Sequence, residues 1–226
     1  MLKSVSTRSL LAAGIAAGAV FPLVVLVQAL TREGFDLAVH PLSMLSLGDF
    51  GWIQIANFVL TGLLFVGFAA GMRRLLGSGR GGRWGPRLIG FYGAVNVAAG
   101  VFTVDPMYGF PPGTPEGLPE TLSWHAIVHN LTFALAFLGL IVAIFVFARR
   151  FASVGRRGFA AYSLATGLAT PALIVLSQMN PDSAGYVLFG VNVMVNVWLV
   201  ALALAALAEH RASERGTSPA YARAGS

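Results

Sequence analysis

The run His125-Ala126-Ile127-Val128-His129-Asn130-Leu131-Thr132-Phe133-Ala134-Leu135-Ala136-Phe137-Leu138-Gly139-Leu140-Ile141-Val142-Ala143-Ile144-Phe145-Val146-Phe147-Ala148 spans 24 residues with no charged side chain. A helix needs about 20 such residues to cross a bilayer core of about 30 Å. The apolar positions are continuous rather than alternating with period two, which indicates a membrane-spanning helix and not a barrel strand. Five further runs of the same kind occupy 10–30, 53–72, 88–104, 159–178 and 187–207. The third is the shortest and must borrow from its flanks or tilt less.

Composition agrees. The chain has 226 residues, 56% hydrophobic and 11% charged, with a mean hydropathy of +0.75. A soluble domain carries roughly 25% charged residues. There is no cysteine, which excludes disulfides, thiolate metal ligands and a cysteine nucleophile. Lys3 and Arg8 before the first run resemble a signal peptide, but that run exceeds the usual apolar core of about 7–15 residues and reads as an uncleaved first span.

The net charge of +6 is a matter of topology. With six spans, Arg32 is the one basic residue placed on its side of the membrane. It shares that side with Glu33, Asp36, Asp49, Asp105, Glu116, Glu120 and Asp182. Every other Lys and Arg falls in the two loops and two termini of the opposite side, which the positive-inside rule assigns to the cytoplasm. The Gly/Arg-rich loop at 77–83 is explained by the same rule and by anionic head groups, so no nucleic-acid partner is expected. Residues 1–209 form a single six-span transmembrane domain, and 210–226 read as a disordered cytoplasmic tail.

Polar chemistry collects on the outward side, in the connections 31–52, 105–124 and 179–186. Pro41 at a first helical position predicts a short helix or re-entrant turn over 41–47. The prolines at 111, 112 and 115 predict a stiff, non-helical cover. Three of the four histidines (His40, His125, His129) fall on this side with Asp105. His210 lies at the cytoplasmic end of the last span, as a cation near a helix C-terminus. His125 and His129 stand four apart, which on a helix puts both imidazoles on one face.

Three imidazoles and a carboxylate are a workable ligand set for zinc, with a water in an open position. Zinc would lower that water's pKa toward about 7 and make it a hydrolytic nucleophile. The set is then His40, Asp105, His125 and His129 as ligands, Asp105 alternatively as general base, and Ser43 as an orienting group. The competing reading is that the histidines hydrogen-bond to loop carbonyls and hold the cap in place, or titrate near neutral pH as sensors. A haem is disfavoured because two histidines one turn apart cannot grip opposite faces of one ring system. Within the spans, Asn57, Asn96, Asn130, Gln178, Asn192 and Asn196 are read as inter-helix hydrogen-bonding groups, with Asn192, Asn196 and Asn130 as candidates to line a cavity. No acidic or basic side chain lies deep in a span, which argues against an ion-coupled transporter. Gly62, Gly71, Gly90, Gly93 and Gly100 read as close helix packing, and Pro22 and Pro171 as kinks.

His40-Pro41-Leu42-Ser43, followed by Gly51-Trp52-Ile53-Gln54-Ile55-Ala56-Asn57-Phe58, resembles the opening signature of a prokaryotic membrane family known as domain of unknown function 998. Asp105-Pro106, Gly109-Phe110-Pro111-Pro112-Gly113 and Ser123-Trp124-His125 with His129 are similar to its later blocks. The resemblance covers nearly the whole chain. It implies a six-helix protein of the prokaryotic plasma membrane and no assigned activity. A looser likeness, of site chemistry only, is to alkaline-ceramidase-like and progestin-receptor-like membrane hydrolases. These use Ser, Asp and three His around zinc, but have seven spans and carry the His pair on the last.

The expectation is therefore an all-α, polytopic bundle of six transmembrane helices with a short ordered extracytoplasmic cap and both termini cytoplasmic. Its leading function is a zinc-dependent hydrolase acting on lipid or amphiphilic substrates. The alternative is a non-enzymatic binding, assembly or permease-like protein with a structural His cluster. The bilayer is its partner, a lipid or small amphiphile its candidate ligand, and the oligomeric state is not legible.

Overall fold

The computed structural model describes residues 5–79 and 81–216. Six long helices dominate: α1 (Thr7–Thr31), α2 (Gly51–Leu76), α3 (Trp84–Val101), α4 (Trp124–Ser153), α5 (Arg157–Met179) and α6 (Ala184–Glu214). No strand occurs among the described residues. All but α3 are long and apolar enough to cross a membrane. At 18 residues α3 rises about 27 Å, close to the bilayer core, but Arg87, Tyr92 and Asn96 dilute its apolar character.

The boundaries follow local chemistry. Ser6 caps α1 by accepting the Ser9 N–H at 3.1 Å, and Ser123 caps α4 by accepting that of Ala126 at the same distance. Gly77, at φ 55°, ends α2 where a side chain would be strained. Two boundaries depart from the sequence reading. The third helix starts at Trp84 and stops at Val101, not 88–104, and Asp105 keeps its expected place in the connection that follows. The last helix continues to Glu214 because the Ala-rich stretch before it propagates the helix; positions 210–214, expected in a disordered tail, are helical. Positions 217–226 of that expected tail lie outside the described residues. The helices α1 and α5 run on through Pro22 and Pro171.

Each helix packs on its neighbours in sequence, and α6 returns to α1, so the six close into a ring. Lipid supplies no hydrophobic drive between helices, and small residues that allow close backbone approach do the work. A Cβ on Gly62 would stand 2.6 Å from the Gly93 carbonyl oxygen, and one on Gly93 2.6 Å from that of Gly62. Gly71 meets α1 at Leu10, and Gly18 closes the ring against the Asn196 carbonyl of α6. Polar side chains add bonds across the seams. Gln28 Nε2 donates to Gln54 Oε1 at 2.8 Å, Asn57 Nδ2 to the Phe21 carbonyl at 3.1 Å, and Trp198 Nε1 to Ser163 Oγ at 3.0 Å.

The ring's two ends differ. The end carrying the start of α1, the end of α6 and the arginines is filled by Phe65, Phe68, Met72, Leu140, Phe147 and Trp198. Toward the other end the core thins to smaller clusters around Phe21, Phe58 and Leu45, and around Met44, Val104 and Phe110 beneath the loops. This loop end carries Arg32, whereas Arg74 (donating to the Val5 carbonyl at 2.8 Å) and the Arg150–Glu209 ion pair at 3.3 Å mark the opposite end.

Replacing Gly93 by Leu is expected to push α3 off α2 and to cost about 2–3 kcal/mol. Thermal unfolding of the purified protein checks this, with Gly190→Leu, where a Cβ meets nothing within 4 Å, staying near the parent value.

Candidate functional site

The loops between α1 and α2 and between α3 and α4 form the cap of the ring, and Arg32 clips them together. It follows the last turn of α1, and its guanidinium donates to the Leu45 carbonyl at 3.2 Å and the Leu47 carbonyl at 2.6 Å. It also lies 5.8 Å from the centroid of the Phe50 ring and 5.4 Å from that of Phe110. Burial lowers its pKa from the ordinary value, and the nearby Asp49 carboxylate pulls it back up. The expected short helix is the 3-10 turn Leu42–Ser46 that these bonds hold down.

Each residue of the proposed zinc set has a place. His40 is buried; its Nδ1 accepts the Asp36 N–H at 2.9 Å and its Nε2 donates to the Tyr108 carbonyl at 3.0 Å, so both ring nitrogens are engaged. Its ring lies among Phe35 and Phe110. Asp105 accepts the Ser123 N–H at 2.7 Å, and Ser123 in turn caps α4. The pair of histidines divides. His129 is buried, and its Nδ1–H is shared between the Phe102 carbonyl at 2.7 Å and the Ala99 carbonyl at 3.2 Å, two orphan acceptors at the end of α3. His125 is exposed and stacks on Trp124, with ring centroids 3.7 Å apart. Among the described residues no group of three or more His, Asp or Glu could hold a metal ion. Three of the four side chains instead bond backbone groups, His40 between the two cap loops, Asp105 at the start of α4 and His129 at the end of α3, and the zinc reading gains no support from the geometry.

The structure does bring together Ser43 and His129, on the wall of a cavity of about 470 Å³ inside the loop end of the ring. Helices α3 (Tyr92, Asn96, Ala99), α4 (His129 to Phe137), α5 (Ile174, Gln178) and α6 (Leu188, Asn192) form its sides. Phe21, Phe58 and the cap residues Pro41 to Ser43 complete it. The lining mixes phenyl rings and aliphatic groups with hydroxyls, amides and one imidazole, and contains no Asp, Glu, Lys or Arg. Some of its polar groups are already spent. Asn96 Nδ2 donates to the Tyr92 carbonyl at 2.8 Å, and Thr132 Oγ1 to the His129 carbonyl at 2.7 Å. Others are not: the Asn130 side chain makes no hydrogen bond among the described residues. Asn192 uses only its oxygens, the backbone carbonyl at 2.9 Å and Oδ1 at 3.3 Å, as acceptors for Asn196 Nδ2. Such a space, mainly apolar with a few convergent polar groups, has the size and character of a small-molecule site.

Sequence reading selected Asn130 and Asn192 as cavity groups but included Asn196, which is buried against α6's own backbone and lies off the wall. It missed Asn96's place on the wall, and it missed Arg32. The signal for Arg32 was available, since it is the single cation on the acidic side.

A family described as "Protein of unknown function (DUF998)" matches residues 15–205. No curated protein and no solved structure matches the chain.

Removing the Arg32 clip strips two charge-assisted bonds from the cap. Arg32→Ala is expected to lower stability by about 2 kcal/mol and to raise amide exchange over residues 42–47. Arg32→Lys, whose single ammonium lacks the fork that reaches two carbonyls, recovers only part of the protection.

Proposed function

Since the chain belongs to the DUF998 family, whose description assigns no activity, we propose from the geometry that it is a membrane binding protein. Its ligand is a small amphiphilic molecule held in the cavity at the loop end of the ring. One observation carries this: a space of about 470 Å³ where aromatic walls and uncharged polar groups converge. Of the residues that would make a hydrolase of it, Ser43 and His129 line the cavity and His40, Asp105 and His125 do not. Zinc chemistry would first require His40, whose two ring nitrogens are both engaged, to give up a backbone bond that holds the cap. Binding without chemistry needs no such rearrangement.

The same proposal places the protein in the plasma membrane of a prokaryote, with the cap and cavity facing outward and both termini in the cytoplasm. The arginines clustered at the end opposite the cap support that orientation. The chain lacks cysteine, so single cysteines report on it cleanly. In intact cells a membrane-impermeant maleimide is expected to label Glu120→Cys in the cap and to leave Val154→Cys, between α4 and α5, unlabelled until lysis. The reverse pattern would invert the orientation.

Occupancy can be read through stability. A ligand at about 100 times its dissociation constant adds roughly 2.7 kcal/mol to the folded state. Screening neutral amphiphiles by thermal unfolding should find such stabilisation in the parent protein. Ala136→Leu, which fills the cavity from α4, should abolish it while keeping the fold.

A further inference from the structure

The cavity has a side opening, and its position and lining narrow what it can hold. On α4 one stripe of residues faces α5. Where the stripe passes Ile144 and Phe145 it packs on Gly167 of α5, with a Cβ there meeting those side chains at 3.0–3.1 Å. Toward the cap the same stripe is left open: Asn130 and Phe133 are exposed, and Phe137 is half-buried. Across from them on α5, beyond Pro171, Gln178 is exposed as well, yet all four line the cavity. The helices α4 and α5 therefore meet near the arginine end and part toward the cap. Trp124, Trp52 and Tyr186 are exposed at the cap ends of α4, α2 and α6, where aromatic side chains mark a membrane interface. Asn130 lies six residues below Trp124, a rise of about 9 Å, so the opening faces acyl chains and not water.

We infer that the ligand is a single-chain amphiphile with an uncharged polar head, which reaches the cavity sideways from the bilayer between α4 and α5. This rests on the binding reading above and specifies it. The helices that flank α4 and α5 bring Asn96 of α3 and Asn192 of α6 to the cavity wall, and Asn192, whose oxygens alone are engaged, keeps its amide nitrogen free to donate to a hydroxyl, ester or amide head. A phosphate, carboxylate or ammonium would lose its hydration there and find no counter-charge on the lining. The acyl chain runs out past Phe133 and Phe137, whose rings stack at 4.7 Å beside the gap, into the surrounding lipid.

The test uses the full chain in phosphatidylcholine nanodiscs with a monoacylglycerol carrying a photoreactive diazirine on its acyl chain. Saturable cross-linking, mapped by mass spectrometry, is expected on α4 and α5 around Phe133 and Ile174, and is expected to vanish in Ala136→Leu. Unlabelled monoacylglycerol should compete, whereas a fatty acid, an alkylphosphate and an alkyltrimethylammonium of the same chain length should compete roughly tenfold less well or worse. Equal competition by a charged amphiphile would overturn the head-group assignment and leave cavity binding standing. Label concentrated on the cap at positions 41–43 would overturn sideways access. An absence of saturable label from this probe and from charged probes alike would overturn the binding reading itself.

Discussion

Close backbone contact between helices is the constraint on which this protein depends. In lipid, side chains gain nothing by leaving one apolar medium for another, so a ring of helices holds only where backbones approach and polar groups pair. Gly62 and Gly93 set α2 against α3 with each carbonyl where the other's Cβ would be, and Gly18 lets α1 reach the backbone of α6. Once these seams are fixed, the circumference of the ring is fixed too. Large side chains such as Trp198, Phe147 and Phe68 fill the centre at the arginine end. Toward the cap the inward positions carry Ala99, Asn96, Asn192 and Thr132, too small to meet across the same circumference. The cavity is a consequence of that difference in side-chain volume around a ring whose width is set elsewhere.

The cap over that cavity is built from polar residues acting on backbone groups. His129 takes up two carbonyls left unsatisfied at the end of α3, Asp105 fixes the residue that caps α4, and His40 holds the turn at Asp36 to the loop at Tyr108. In a membrane an orphan carbonyl near the hydrocarbon is costly, and a side chain that satisfies two of them serves the fold. Chemistry-bearing residue types can thus gather at one membrane surface for reasons that have nothing to do with catalysis.

That distinction explains how far the sequence could be read. Spans are legible because they are one-dimensional: a run of about 20 apolar residues and the side on which arginines fall need no tertiary information. Gly62, Gly71 and Gly93 are legible as seams because few other roles suit a glycine in an apolar helix. The site was harder. A spacing of four places His125 and His129 on one face, but one lies above the ring's rim on Trp124 and the other inside it, so depth decided their fates and spacing did not. Topology brought His40 and Asp105 to the same side of the membrane. Their separation along that surface depends on how two loops fold over six helix ends, and no local pattern encodes it. The third helix was misplaced at both ends because Trp84, Gly85 and Pro86 begin it before hydropathy rises.

The polar groups of this bundle divide by whether they sit at a helix seam or on the cavity wall. Gln28 and Gln54 bond each other, Asn57 bonds the backbone of α1 and Trp198 bonds Ser163, each across a seam, while Asn196 turns back on α6; Gln28 Oε1, Gln54 Nε2, Asn57 Oδ1 and Asn196 Oδ1 stay buried without a partner, away from the cavity wall. Asn192 is buried with its amide nitrogen unpaired, and Asn130 keeps its side chain unpaired at the side opening of the same cavity. Carrying an amide into a bilayer without pairing it is unfavourable for folding, by more than a typical inter-helix hydrogen bond returns. Two amides, Asn130 on α4 and Asn192 on α6, with phenyl rings beside them and no charged side chain on the wall, are what the proposal of an uncharged polar head rests on.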